Sequence, residues 1–151
     1  MGTHATIAMA EQTPVADSWR LSASAVEARS SRVRFRALLD AMWSDPDSCD
    51  AAETCFGEVI ANAVIHGMEP IHVDVLLETE DVTFDVTDAD STVPMPRDAG
   101  VDAEDGRGME LLSALCRRWE VFELTGQQGK CVRVWCSARP TKPDAMAGCD
   151  G

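Results

Sequence analysis

Glu58, Asn62 and His66 stand four residues apart in the segment GEVIANAVIHG, and Gly106-Arg107-Gly108 opens an apolar stretch forty residues after His66. On a helix, side chains four apart share one stripe, so a carboxylate, a carboxamide and an imidazole point the same way, flanked by Cys55 and Ile65. A face that met only water would have no reason to select these three chemistries over Lys, Glu and Arg. A solvated stripe is still the alternative for the triplet taken alone. Together with the glycines ahead of a helix, the stripe reads as one of two walls of a nucleotide site.

The other positions of the same helix say how the stripe is held. At about 100° per residue, Phe56, Val59, Ile60, Ala63 and Val64 gather on the opposite side and form a core face. The helix is expected over about residues 50–67, after the cap-rich turn Asp45-Pro46-Asp47-Ser48, and stops at Gly67. Ahead of it, Ser24 caps a helix from about Ala25 to Trp43, marked by Val26, Val33, Leu38, Leu39 and Met42. That helix carries Arg29, Arg32, Arg34 and Arg36, which read as a solvated face or, alternatively, as a docking surface.

Ile71 to Leu77 and Val82 to Thr87 alternate as the strands of a hairpin with one buried face, joined by an acidic turn from Glu78 to Asp81. Residues 89–105 are too long for an ordinary connection, a length typical of functional lids or disordered segments. A helix over about residues 107–117 and strands over 119–125 and 130–137 follow, and Trp19-Arg20-Leu21 begins a first strand. This order predicts an α+β fold: a two-layer α/β sandwich with helices on one face of a mixed, mostly antiparallel sheet. Residues 1–18 and 138–151 read as flexible tails flanking one domain at 19–137.

A chain of 151 residues is most simply one domain and is long enough to bury a core without metals or crosslinks. Its net charge of -13 argues against binding to nucleic acid or to an anionic membrane, so the expected partners are proteins or small molecules. No apolar run has the length of a membrane span and the N-terminus lacks a basic region followed by an apolar one, so a cytoplasmic protein is expected. The six cysteines, at 49, 55, 116, 131, 136 and 149, form no C-x-x-C pair and are expected as reduced thiols rather than zinc ligands. Cys131 and Cys136 lie an odd number apart on one predicted strand and should face opposite sides of the sheet.

Glu58-Val-Ile-Ala-Asn62-Ala63-Val-Ile-His66-Gly67 resembles the N box of the GHKL ATPases, especially the bacterial anti-sigma factor serine/threonine kinases with their E-x-x-x-N-A-x-x-H pattern. The match continues in order. Asp88 stands where the G1 aspartate belongs, Gly106-Arg107-Gly108-Met109 where the G2 glycines belong, and Gly129-Lys130-Cys131-Val132 where the final strand starts. The resemblance covers about residues 19–137 and implies the Bergerat (GHKL) ATP-binding fold, with ATP between the helical layer and a mobile lid.

It also implies roles. Asn62 would ligate Mg²⁺ through its carboxamide oxygen, and Glu58 would act as general base on a serine or threonine hydroxyl of a partner or on water. For Glu58 a buried ion pair or a helix-terminal role is the alternative. His66 would orient the lid or approach the phosphates, or else serve as a structural histidine. Asp88 would accept the exocyclic amino proton of adenine, against the alternative of a turn-initiating aspartate. Gly106 and Gly108 would bring backbone amides to the phosphates at a helix N-terminus, with Arg107 adding a charged contact and Met109 following.

Two departures stand out. Asp88-Ala89-Asp90-Ser91-Thr92 lacks both glycines of the family's D-x-G-x-G pattern, which predicts low ATP affinity. Cys131, counted with the nucleotide-site residues that the resemblance implies, stands near the place of a threonine that supports the adenine aspartate, so that hydrogen bond is expected to be missing. The resemblance implies a kinase that binds ATP and Mg²⁺, sequesters a sigma factor and phosphorylates an anti-sigma factor antagonist, with a homodimer through the first helix. The alternative is a non-catalytic regulatory binding module of the same fold, with weak or lost ATP binding. A detached sensor histidine kinase domain is disfavoured, because no helix carries a phosphoacceptor histidine.

Overall fold

Alternating apolar residues in the strands and 3.6-periodic ones in the helices give two layers that can only bury their apolar sides against each other. The computed structural model describes residues 13–91 and 110–138. In chain order the elements are β1 (Val15–Leu21), α1 (Ala25–Met42), α2 (Pro46–His66), β2 (Ile71–Leu77), β3 (Asp81–Asp88), β4 (Arg118–Glu123) and β5 (Lys130–Ser137). A short helical segment covers residues 110–115. The strands form one sheet in the order β1-β2-β3-β5-β4.

Every pairing is antiparallel, so the mixed sheet expected from the sequence is corrected to an antiparallel one among the described residues. The cause is topological. Two helices between β1 and β2 return the chain running opposite to β1, and β5 inserts between β3 and β4, which would otherwise be a parallel pair.

The helix starts obey end chemistry. The Ser24 side chain accepts from the Glu27 amide at 3.1 Å and opens α1. Helix α2 begins at Pro46, four residues before the expected start, because Pro at the first helical position loses no needed hydrogen bond. β1 likewise begins early: residues 15–18, assigned above to a tail, pair with β2 from Val15 opposite Leu77 onward. On its inward side β1 carries Asp17, which breaks the apolar alternation. Arg34 satisfies that carboxylate through two hydrogen bonds of 2.8 and 3.0 Å, and its guanidinium lies 4.3 Å over the Trp19 ring. Arg36 similarly reaches Asp40, Asp50 and Glu53, and Arg32 lies 3.6 Å from Glu53. Much of the arginine face of α1 is thus neutralised by this chain's own carboxylates.

The layers are joined by three fully buried rings. Phe35 of α1 stacks on Phe56 of α2 at 4.2 Å, and Phe84 of β3 stands edge-on to both at 5.2 Å. Around them pack Leu39, Ile60, Ile71, Val73, Val86 and Val134. Among the described residues, no helix is long and apolar enough to cross a membrane.

Candidate functional site

The core face of α2 fixes the direction of its polar stripe. Phe56, Val59, Ile60 and Ala63 are buried, which turns Glu58 and Asn62 to half-buried positions and leaves His66 exposed at the helix end. α2 packs against β3 and β5, so the stripe runs towards the end of β3, where Asp88 sits.

The helix end and the strand end touch at Gly67. Its amide caps the helix on the Ala63 carbonyl at 3.0 Å, and a Cβ there would fall 2.6 Å from that oxygen and 2.7 Å from the Asp88 carboxyl carbon. Only glycine allows this approach. Gly67→Ala is therefore expected to destabilise the fold by about 1–3 kcal/mol through overpacking, read as a lower midpoint in urea unfolding. A midpoint equal to wild type would contradict the contact.

Asp88 lies on the inner face of β3 with Val82, Phe84 and Val86 and is directly opposite Lys130 on β5. The Lys130 ammonium is 3.1 Å from Oδ2, donates to Oδ1 at 3.2 Å and donates to the Asp90 carbonyl at 3.1 Å. The side chains of Asp88 and Lys130 are only 2% and 8% exposed. Oδ1 also accepts the Asp90 amide at 2.7 Å, the local turn contact that was the alternative reading of Asp88. Beside this pair Gly129 adopts φ +134, and a Cβ there would stand 2.5 Å from the Asp88 carbonyl oxygen. Its amide donates to the Ser91 hydroxyl at 3.1 Å.

One expected site residue is displaced. Cys131 is opposite Thr87 and Phe122, on the other face of the sheet from the Asp88 carboxylate. Its thiol, pushed up to about 11 chiefly by burial, does not support Asp88. Lys130 fills that place, and it was passed over although its parity in the strand matches Val132, Val134 and Cys136. The opposite-face expectation for Cys131 and Cys136 holds, since Cys136 lies in the core. Gly106, Arg107, Gly108 and Met109 lie outside the described residues.

The two ends of the site differ in what they can hold. Glu58 and Asn62 offer a carboxylate and a carboxamide oxygen on one accessible stripe, a donor set that suits a hard cation and an attacking hydroxyl. Asp88 is already engaged within the chain, because both its oxygens have donors and its side chain is only 2% exposed.

A family model described as histidine kinase-like ATPase domain matches residues 21–135. The chain belongs to that family. Among solved structures, this histidine kinase-like ATPase domain is similar to the crystal structure of the RsbU and RsbW domains of Rv1364c from Mycobacterium tuberculosis, at 20% identity and a TM-score of 0.61. The likeness covers 86% of this chain and 33% of that one, so this ATPase domain spans about a third of its neighbour's length, and at this identity what is shared is the fold. No curated protein matches the chain. The α+β, GHKL-like architecture expected from the sequence is thus the observed one.

Proposed function

We propose that this ATPase domain is a regulatory protein of the anti-sigma factor serine/threonine kinase type. It holds Mg²⁺-ATP against α2, sequesters a sigma factor, and phosphorylates an antagonist protein on a serine or threonine. The observation that carries this reading is the stripe itself: Glu58 and Asn62 are half-buried on the free side of a helix whose other side is locked into the core. In this reading the Asn62 carboxamide oxygen ligates Mg²⁺ and the Glu58 carboxylate takes the hydroxyl proton. Arg107 and the glycines at 106 and 108 meet the phosphates, and His66 orients the lid.

A second reading has one observation in its favour, the occupied carboxylate of Asp88. It is a regulatory binding module of the same fold that acts by contact, with weak or absent ATP binding. Calorimetric titration with Mg²⁺-ATP separates the two. Under the kinase reading the wild-type chain binds, and Asn62→Ala weakens Mg²⁺-dependent binding by at least about tenfold. No heat at millimolar ATP overturns the kinase reading and leaves the binding module.

A further inference from the structure

We propose that Lys130 occupies the Asp88 carboxylate with its own ammonium, so that nucleoside triphosphates are held by their phosphates and Mg²⁺ and are not selected for adenine. The inference rests on reading the α2 stripe and the end of β3 as a nucleotide site, and it assigns Lys130 as the residue that sets base specificity there.

An ammonium has three donors, and Lys130 has three acceptors in place: both oxygens of Asp88 and the carbonyl of Asp90. Most of the carboxylate is engaged too: Oδ1 also takes the Asp90 amide, Oδ2 is 3.1 Å from the ammonium, and the side chain is 2% exposed. A base amino group reaching Asp88 must therefore compete with an ammonium whose side chain is 8% exposed, and displacing it would strand a buried charge. Strong discrimination by a hydrogen-bonding site arises because the wrong ligand leaves buried polar groups unpaired. Here the groups are paired with no ligand at all, so adenine and guanine gain nothing from Asp88. The pair serves instead to lock the end of β3, the turn at 88–91 and the start of β5 together.

The test is calorimetry on the full chain with Mg²⁺-ATP, Mg²⁺-GTP and Mg²⁺-tripolyphosphate, for wild type and for Lys130→Thr. Wild type is expected to show no more than about a threefold preference among the three, and Lys130→Thr to gain at least about tenfold for ATP but not for GTP. A wild-type preference for ATP of about tenfold or more over both other ligands overturns the proposal. So does a folded Lys130→Thr with unchanged ATP affinity. If Lys130→Thr does not fold, the wild-type comparison decides alone, and absence of binding by all three ligands overturns the proposal, because phosphates and Mg²⁺ should suffice.

The outcomes separate this proposal from the kinase reading. Equal binding of all three ligands by wild type that Asn62→Ala leaves unchanged upholds the role of Lys130 and overturns the kinase reading. An ATP-selective wild type that loses binding with Asn62→Ala does the reverse.

Discussion

Phe56→Ala is expected to lower the stability of the folded domain by about 3–5 kcal/mol, a large fraction of what a domain commonly has. Phe56 is fully buried, stacks on Phe35 with the rings 5° apart in plane, meets Phe84 edge-on and lies 6.3 Å from Trp19. Truncation removes the ring that both helices and the sheet share, and each aromatic pair adds about 0.5–1.5 kcal/mol beyond the area it buries. The surrounding cavity cannot easily collapse, because its walls come from three different elements. Phe56→Leu keeps most of the apolar volume and should fall well short of the alanine effect. Urea unfolding followed by tryptophan fluorescence measures both, and a loss under about 1 kcal/mol for Phe56→Ala would sink the idea that this stack ties the layers. The same variant should loosen the stripe two residues along α2, since Glu58 and Asn62 owe their direction to the face that Phe56 anchors.

How far the sequence disclosed this molecule depends on whether the signal was local. The core face of α2 was legible because Phe56, Val59, Ile60 and Ala63 recur at helical spacing, and burial alone decides which way such a helix turns. The cap at Ser24 and the hairpin of β2 and β3 were legible for the same reason. β1 was half missed because its inward Asp17 is satisfied by Arg34, seventeen residues away, and no local pattern announces a long-range ion pair. The mostly antiparallel sheet was expected, but that every described pairing is antiparallel was not legible, because strand order is a property of the whole chain. At the candidate site, Glu58 and Asn62 could be singled out by type and spacing, and Asp88 by the resemblance of its segment to the family's G1 box. Lys130 could not: its meaning comes from lying opposite Asp88 across forty-two residues of chain, a register that the residue types do not encode. Cys131 gives Asp88 no hydrogen bond, as its departure from threonine led one to expect, and a single step along β5 puts it on the other face of the sheet from the Asp88 carboxylate.

Glu58→Gln is expected to reduce phosphoryl transfer to a partner's serine or threonine by about 10²–10⁴-fold while changing partner affinity and Mg²⁺-nucleotide affinity by less than about twofold. The substitution keeps the size and one acceptor oxygen of the side chain but removes the group that takes the hydroxyl proton, so it tests the base and little else. Glu58 is half-buried on α2, one turn before Asn62 and nine residues before Gly67, where the helix end meets Asp88. That separation gives the variant its value, because the chemistry proposed for Glu58 does not depend on whether Asp88 reads a base. Transfer of radiolabelled γ-phosphate to the captured partner, run beside a binding titration, reports both quantities. Equal transfer by wild type and Glu58→Gln rules out the catalytic role of Glu58. Absent transfer from wild type with partner binding intact selects the contact-only module, in which Lys130 keeps Asp88 occupied and the α2 stripe serves recognition rather than phosphoryl transfer.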